Sequence, residues 1–582
     1  MEPHAARAHD QPPPGAGRGN ARRLARRRRR GRVHGDESQL VDRRQASQLP
    51  VRHADRLGDQ KGQARTHVAR RDVHRHHAAV LGLTRRRCGT RLLASVRIDE
   101  LRQGPAGSER ARLARGRSRA FSGRAGRSSI VNALEVAKAT LESVEGEAEA
   151  VAHVEHSGLA RFAGSEVHQP TLIENAMVTL RVVQDNRLGV ATTNKIDTAG
   201  LAELARRASD AAASAPPDET FPGLAPPASA PAVAGFDDET AALGPDDQAR
   251  LAATAIDAGG DVPVYGFFTS ALSELAVMST TGLSVHQRMT DATALVVAAD
   301  EKGSGYAEQT AWRAKSVDPA EVARESAEKA KRTRGAAEIE SGVYRAVLEP
   351  YAFADLLDYF SHDSFGALGL LEERSYFTNR LGQKVFDEKI SITDDALDPH
   401  GLPKAFDFEG TPKRAVRLVE QGVARGVVWD RATAARVGDG AESTGHAPPA
   451  ELRDWGPLPS ALSILPGSAE SVDELAELVG DGLYITRLHY LGVLHPREGL
   501  ITGMTRDGTF RIRDGKIAEP LVNLRFTVAV PDFLREVFGL TNKAALVNSQ
   551  NFYGERYPYG VMAPAIASAR FPVTGVGSKP GI

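Results

Sequence analysis

The chain has 582 residues, equal numbers of basic and acidic side chains, and one cysteine, Cys88. A single cysteine excludes an internal disulfide framework and a zinc site built from several cysteines, and it favours a reducing, cytoplasmic location. No run of 18 apolar residues occurs, so no membrane-spanning helix is predicted. The length favours two or more domains.

Residues 1–127 carry a charge unlike that of the rest, with about 32 Lys+Arg against about 11 Asp+Glu. The remainder holds about 42 basic and about 63 acidic residues. The segment has no aromatic residue before Phe121, so it lacks the apolar surface needed to offset chain ordering. We expect a disordered Arg-rich extension, or a start codon placed too far upstream. A nucleic-acid-binding arm using Arg26–Arg30 is the alternative.

Residues 128–340 alternate between helical and strand patterns, which predicts an N-terminal α/β domain. The spacing of Ile130, Leu134, Ala137 and Leu141 indicates a first helix capped by Ser128 or Ser129. Several strands are expected after it, beginning with Ala150–His156 and Gly158–Glu166, then Met177–Val183, Leu188–Thr192, Val264–Phe268, Glu274–Ser279, Leu283–Thr290 and Ala292–Ala299. The sequence predicts that Pro319–Arg334 forms a charged helix at the end of this domain.

Residues 341–582 form a second, β-rich domain that begins with the strand Val343–Leu348. Pro350 suits the first turn of a helix, and the next segment has one apolar face, made by Phe353, Leu356, Leu357 and Phe360. This helix leads into His362 and Asp363. A helix-borne zinc site needs two histidines about one turn apart, and no second imidazole follows His362 within reach.

Acidic turns and further β signals follow. Asp394, Asp395, Asp398 and Asp407 are expected to be solvated loop acids, with a hard-cation site as the alternative. Farther on, the patterns predict a helix capped by Ser471, a strand at Gly482–Thr486, a loop with His489 and His495, a hairpin turn at Asp514-Gly515 and a closing helix at Pro531–Phe538.

These segments, in this order, resemble the TldD/PmbA family of metallopeptidases, once called modulators of DNA gyrase, from about Ile130 onward. The matching stretches are short but ordered: Gly382–Val385, Asp394-Asp395, Asp407–Pro412, Ser443–His446, Pro466-Gly467, Gly482–Thr486 and Ile512–Pro520. The resemblance implies a two-domain α/β (α+β) fold. It also implies activity on peptides.

The family has two kinds of subunit. The TldD kind carries HExxxH and a distal cysteine, which hold a catalytic metal, whereas the PmbA (TldE) kind lacks them and pairs with TldD. The corresponding window here is His362–Ala367, in which Asp363 replaces Glu and Ala367 replaces the second His. The resemblance therefore implies a PmbA-like subunit without catalytic residues or a metal of its own, with zinc in a TldD-like partner.

Two alternatives remain. The first is a self-standing metallopeptidase with a rebuilt metal site drawn from four weak candidates, His362, Asp363, His489 and His495. The second is a nucleic-acid-binding protein, which the acidic balance after residue 127 disfavours. For the subunit, we expect an exposed strand edge at Gly482–Thr486 and its neighbours to hold an extended peptide.

Overall fold

The computed structural model describes residues 131–438, 440–548 and 556–581. The predictions for residues 1–127 lie outside these ranges. Within them, no helix combines the length and the apolar character that crossing a bilayer requires.

Six antiparallel strands form the first sheet, in the order β3-β2-β1-β4-β5-β6. Their bounds are β1 (Glu147–Ala163), β2 (Glu166–Gln184), β3 (Arg187–Thr193), β4 (Val264–Ser279), β5 (Ser284–Ala299) and β6 (Ser304–Ala311). Several are longer than predicted, because pairs of expected strands are continuous.

Gly158, at the start of the second predicted strand, lies inside the continuous strand β1. A Cβ at this position would lie 2.0 Å from Oε1 of Gln248, so only glycine lets that side chain pack against the strand. Gln248 Nε2 donates to Ser270 Oγ at 2.9 Å on β4. The glycine marks a close approach of a helix and not a turn.

Five helices accompany this sheet: α1 (Ala133–Glu142), α2 (Thr198–Ser214), α3 (Asp238–Ala241), α4 (Pro245–Ala258) and α5 (Pro319–Arg332). Asn132 caps α1, and its side chain accepts hydrogen bonds from two backbone N–H groups of the first turn, so the predicted serine cap is wrong. Leu201 and Leu204 of α2 share a buried core with Ala150 and Val154 of β1. α4 and α5 pack against each other and against the same sheet.

Eleven strands form the second sheet: β7 (Gly342–Leu348), β8 (Ile392–Asp394), β9 (Val416–Glu420), β10 (Val423–Ala424), β11 (Leu462–Ile464), β12 (Gly482–His495), β13 (Leu500–Arg513), β14 (Lys516–Pro520), β15 (Leu524–Ala529), β16 (Val537–Val547) and β17 (Val561–Val576). β7 pairs with both β12 and β17, so β17-β15-β13-β12-β7 close into a ring.

The helices of this half are α6 (Pro350–Ser364), α7 (Ala367–Leu371), α8 (Arg431–Val437), α9 (Val472–Val479) and α10 (Val530–Phe533). The predicted closing helix is too long, because α10 ends at Phe533 and β16 begins at Val537. Ser471 caps α9 as predicted, accepting from the Glu474 N–H at 3.3 Å. Asp514 and Gly515 have the positive φ angles of the predicted hairpin turn, 47° and 74°.

α6 packs against the closed ring, contacting β12 and β17 most extensively. Its predicted apolar face, Phe353, Leu356, Leu357 and Phe360, is fully buried. The cluster that contains this face also includes Phe268 and Val296 of the first sheet. Because one hydrophobic core joins the two sheets, the domain boundary at residues 340 and 341 remains a prediction.

Candidate functional site: helix α6 and its surroundings

The N-terminal end of α6 is held by a buried carboxylate. Glu349 precedes the helix but caps none of its N–H groups. Its oxygens accept from Lys329 Nζ at 2.6 Å, from Tyr484 OH at 2.6 Å and from Thr486 Oγ1 at 2.9 Å. Burial alone would lower the pKa of Lys329, but Glu349 and Glu325 raise it above its usual value. Glu349 and Lys329 therefore form a buried ion pair. Together with the hydrogen bonds from Tyr484 and Thr486, it links α5 and β12 to the start of α6.

The C-terminal end of α6 is held more loosely. His362 Nε2 lies 3.5 Å from Asp358 Oδ1, one turn earlier, and the imidazole is 30% exposed. Its ring is 6.3 Å from that of Trp455. Asp358 is buried and also accepts a short hydrogen bond from Tyr559 OH. His362 thus has one carboxylate partner on its own helix.

Asp363 is directed to a different partner. Its Oδ1 accepts from Arg374 Nη1 at 2.8 Å. α6 ends at Ser364, and Ala367 belongs to the next short helix. The window His362–Ala367 therefore crosses a helix end, and its two terminal positions do not share one continuous helix.

The two other candidate ligands lie in strand β12, not in the predicted loop. The rings of His489 and Tyr490 are tilted by 44° to each other, with their centroids 4.1 Å apart. Burial, with Arg487 and Arg506 nearby, lowers the pKa of His489 to about 4. His495, the last residue of the strand, pairs with Leu500 of β13.

Across the described ranges, no three His, Cys, Asp or Glu side chains converge closely enough to hold a metal ion. The structure therefore does not bring His362, Asp363, His489 and His495 together as one ligand set. Zinc in a catalytic site takes three protein ligands. The residues at the end of α6 do not fit the metal that this family implies.

A small cavity lies beside Asp355 and Asp358, at about 10 Å³ large enough for one water molecule. Asn548 and Tyr559 line its other side. Oδ1 of Asn548 is buried and accepts no hydrogen bond from the described residues. No short-range pattern in the sequence points to this polar site, because Asn548 and Tyr559 lie almost 200 residues beyond the helix.

Glu308 of β6 connects the first sheet to the same region. Tyr306 OH donates to one of its oxygens at 2.5 Å, and the Asn548 N–H donates to the other at 2.6 Å. Burial raises the pKa of Glu308, while these hydrogen bonds oppose the rise. No local pattern distinguished this glutamate from a surface residue.

Of the four aspartates predicted to be solvated, Asp394 and Asp407 are buried turn anchors, whereas Asp395 and Asp398 are half-buried. Asp394 Oδ1 lies 2.7 Å from His446 Nε2, and its other oxygen accepts from the N–H groups of Ser460 and Ala461. Burial alone would raise the pKa of Asp394, but His446 and these hydrogen bonds lower it. Thr444 Oγ1 lies 2.9 Å from His446 Nδ1.

Asp407 is anchored similarly, accepting from the N–H groups of Glu409, Thr411 and Ala447. Burial, with Glu409 nearby, raises its pKa to about 7. The prediction of solvated acids is wrong for Asp394 and Asp407, because their oxygens accept hydrogen bonds inside the protein. Because these oxygens already accept hydrogen bonds from N–H groups, they are poorly placed to bind a hard cation, which was the alternative prediction.

A buried charge cluster joins this turn to the first sheet. Arg181 Nη1 lies 3.1 Å from Glu149 Oε1 and 3.6 Å from Glu409 Oε1. Glu149 is 1% exposed, and its oxygens accept no hydrogen bond from the described residues. Burial raises the pKa of Glu149 to about 7, with Arg181 opposing and Glu409 adding to the rise.

The predicted peptide-binding edge at Gly482–Thr486 is wrong. Leu483, Tyr484 and Ile485 pair with β7 on one side and with β13 on the other. All five residues of the segment are buried. An extended peptide has no free strand edge there.

Comparison with known proteins matches two parts of this chain to one family. Residues 341–575 match the PmbA/TldA metallopeptidase C-terminal domain, and residues 148–212 match the PmbA/TldA metallopeptidase domain 1. Together these matches cover more than half of the chain.

Curated relatives carry names from the same family. A metalloprotease from Methanothermobacter thermautotrophicus is 30% identical over 228 residues, covering 38% of this chain and 48% of that protein. The zinc metalloprotease TldD homolog of Saccharolobus solfataricus is 23% identical over 222 residues, covering 36% and 48%. The chain spans about half the length of these relatives.

Solved structures show the same fold over a longer range. TldE from Thermococcus kodakarensis superposes with a TM-score of 0.67 at 19% identity, covering 76% of this chain and 99% of that one. A protein described as a modulator of DNA gyrase from Thermotoga maritima gives a TM-score of 0.64 at 20% identity, covering 74% and 96%. The matched domains and the shared fold assign this chain to the PmbA/TldD family.

Proposed function

We propose that this chain is a PmbA/TldE-like subunit of a TldD/TldE-type metallopeptidase. It has no metal site of its own, pairs with a TldD-like chain that holds zinc, and contributes to the proteolysis of peptides in the cytoplasm. The proposal rests on one observation: the described residues at the end of α6 do not form a set of metal ligands. His362 lies beside the carboxylate of Asp358, 3.5 Å away, and Asp363 is paired with Arg374.

The chemistry of peptide hydrolysis explains why this observation matters. A metallopeptidase needs a metal to lower the pKa of the attacking water, and a carboxylate to take its proton. The side chain of Ala367 has no lone pair with which to bind a metal. The carboxylate of Asp363, next to His362 in the sequence, is neutralised by the guanidinium of Arg374. This chain can therefore support the reaction structurally, as a partner of a metal-bearing chain.

The named relatives give a second, weaker support. One solved neighbour is called TldE, and several relatives are called metalloproteases. A fold retained without its metal ligands is useful where a second chain supplies them.

The alternative of a self-standing metallopeptidase needs a ligand set that His362, Asp363, His489 and His495 do not form. The nucleic-acid alternative depends on residues 1–127, because the rest of the chain is acidic. Neither alternative has a geometric observation in its favour.

The test combines metal analysis with reconstitution. The purified full chain should retain no stoichiometric zinc after dialysis and should cleave no peptide. Mixed with a TldD-like chain that carries intact HExxxH, it should form a complex that cleaves peptides. The matched control is the same mixture with the partner's HExxxH glutamate replaced, which should be inactive.

Two results would contradict the proposal. Stoichiometric zinc in this chain alone, with cleavage by it alone, would favour the self-standing enzyme. A TldD-like chain that neither binds this chain nor gains activity from it would remove the subunit role.

A further inference from the structure

A short segment of the chain, residues 556–559, lies in a polar pocket of the first sheet. It directly precedes β17 of the second sheet, yet its side chains contact residues of β1, β4 and β5. Residues 548–560 connect β16 to β17, whereas hairpin loops usually have about two to five residues, and much longer connections are often functional. The contacts of residues 556–559 show what the pocket recognises.

The first contact is made by the guanidinium of Arg556. Its Nε donates to Asp291 Oδ2 at 3.1 Å, and its Nη2 donates to the same oxygen. Its Nη1 donates to Thr269 Oγ1 at 2.6 Å. The Thr269 hydroxyl donates its own proton to the Gly158 carbonyl at 2.8 Å, so its lone pairs remain for the guanidinium. A lysine ammonium lacks this planar fork, so the pocket fits arginine better than lysine.

The charge of the pocket also favours a cation. Asp291 is 1% exposed and Glu155 is 4% exposed, and the Glu155 carboxylate accepts a hydrogen bond from the backbone N–H of Arg556. Burial raises the pKa of Glu155, while hydrogen bonds from Ser157 and Arg556 oppose the rise. Buried carboxylates are costly without a cation beside them. Asp291, Thr269 and Glu155 are called the Arg556 pocket below.

The next residue, Tyr557, occupies an aromatic subsite. Its ring stacks on His153 with the centroids 4.5 Å apart, and it meets the ring of Phe408 edge to face at 4.7 Å. Burial lowers the pKa of His153 to about 4, so its imidazole is neutral near pH 7 and presents an uncharged face. A flat aromatic side chain fits between these two rings.

The last two residues of the segment lead toward helix α6. The Pro558 carbonyl accepts from Lys404 Nζ at 2.7 Å, and Tyr559 OH donates to Asp358 Oδ1. Residues 556–559 form no helix or strand. The contacts named above are made by side chains, one N–H and one carbonyl group. A separate peptide of the same sequence offers all of these groups.

We propose that the Arg556 pocket and the aromatic subsite beside it bind peptides in which an arginine is followed by an aromatic residue. Residues 556–559 occupy this site as the chain's own ligand, and a peptide must displace them. In the complex with a TldD-like chain, the segment is then autoinhibitory and the site selects among peptide substrates. This last step rests on the proposed function, whereas peptide binding by the chain alone does not.

The experiment titrates the full chain with acetyl-Arg-Tyr-Pro-Tyr-amide, the sequence of residues 556–559, in a calorimeter. The wild-type chain should bind this peptide weakly, because its own segment fills the site. Arg556→Ala vacates the Arg556 pocket and should lower the apparent Kd by about tenfold or more, since that Kd varies inversely with the vacant fraction. Thermal unfolding should show that the peptide stabilises this variant more than the wild-type chain.

Three comparisons test the chemistry of recognition. The same peptide with lysine in place of arginine should bind the Arg556→Ala chain about tenfold more weakly. Adding Asp291→Asn to Arg556→Ala removes the carboxylate partner and should weaken binding of the arginine peptide by at least as much. Arg570→Ala is the matched control, because it removes an exposed arginine of β17, and it should bind the peptide as weakly as the wild-type chain.

A second variant decides the question if Arg556→Ala, which leaves buried carboxylates without their cation, does not fold. Tyr557→Ala keeps the ion pair with Asp291 and removes only the contacts of the aromatic subsite. The segment then competes less well, so this variant should bind the peptide about fivefold more tightly than the wild-type chain.

Three outcomes would overturn the inference. The first is a folded variant at Arg556 or Tyr557 that binds the peptide no more tightly than the wild-type chain. The second is equal binding of the lysine and arginine peptides. The third is a cleaving mixture with a TldD-like chain in which neither variant lowers the KM of an Arg-Tyr substrate. A mixture that cleaves no peptide contradicts the proposed function instead, and the binding results still stand.

Discussion

The two ends of helix α6 show two kinds of polar site. At the N-terminal end, Glu349 accepts hydrogen bonds from three buried side chains on two other elements. At the C-terminal end, His362 is partly exposed and faces one carboxylate of its own helix, 3.5 Å away. The first arrangement fixes the helix in the fold, whereas the second leaves the imidazole few constraints.

The difference shows which part of the helix has a structural role. If the metal motif of a TldD-like chain lies on the helix that corresponds to α6, as the family resemblance implies, its ligands should be held firmly by their surroundings. Here the firmly held residue is Glu349. Helix α6 and its anchor Glu349 are present, whereas His362, at the position of the first histidine of the metal motif, has few contacts.

The largest expected effect comes from breaking the N-terminal end. Glu349→Ala leaves the Lys329 ammonium buried without this partner, so the free energy of unfolding should fall by about 3–5 kcal/mol in urea denaturation. The control is Glu372→Ala, which removes an exposed ion pair with Arg374 and should cost less than about 0.5 kcal/mol. Equal effects of the two changes would contradict the structural role of Glu349.

The second prediction concerns pH. The pKa of Glu149 is raised from 4.5 to about 7 in the folded chain. The stability that this group contributes is present below pH 4.5 and is lost as the pH rises to about 7. The loss is on the order of 2–3 kcal/mol, because burial opposes ionisation and Arg181 only partly compensates.

Glu149→Gln removes this titration. Urea denaturation of both proteins at pH 5 and pH 7.5 should show the variant gaining stability relative to wild type as the pH rises. Comparing the two proteins isolates Glu149 from Asp407, whose pKa is also raised to about 7. A difference between them that does not vary with pH would show that Glu149 is already ionised at pH 5.

The smallest effect is expected at the C-terminal end. His362→Ala should change the free energy of unfolding by less than about 1 kcal/mol, because the side chain is partly exposed and its ion pair is long. The activity of the mixture with a TldD-like chain should be almost unchanged. Loss of that activity with fold and pairing intact would show that His362 takes part in the chemistry.

Local patterns in the sequence were reliable where a residue's role depends on its neighbours in the chain. The apolar face of α6, the Ser471 cap and the Asp514-Gly515 turn were all predicted and are confirmed. Each depends on hydrogen bonds or side-chain directions within a few residues. The resemblance to the PmbA/TldD family, drawn from short ordered motifs, is also confirmed.

Predictions failed where a distant segment decides the environment. Ala150–His156 and Gly158–Glu166 were predicted as two strands, but β1 runs unbroken through Gly158, and Gln248 packs against this glycine from 90 positions away. Asp394 and Asp407 suggested solvated acids, but N–H groups from other loops surround them. Gly482–Thr486 suggested an edge, and two neighbouring strands cover it.

By itself, the sequence determined the periodicities, the caps, the turn at Asp514-Gly515 and the missing second histidine, because these depend on residue types at short spacing. Only the tertiary structure decided that Glu349 is the anchor of α6, that Asp363 is paired with Arg374, and that β3 covers only residues 178–184 of β2. Burial and strand pairing join residues far apart in the chain, and the desolvation of a carboxylate or the freedom of an edge is set by those distant neighbours.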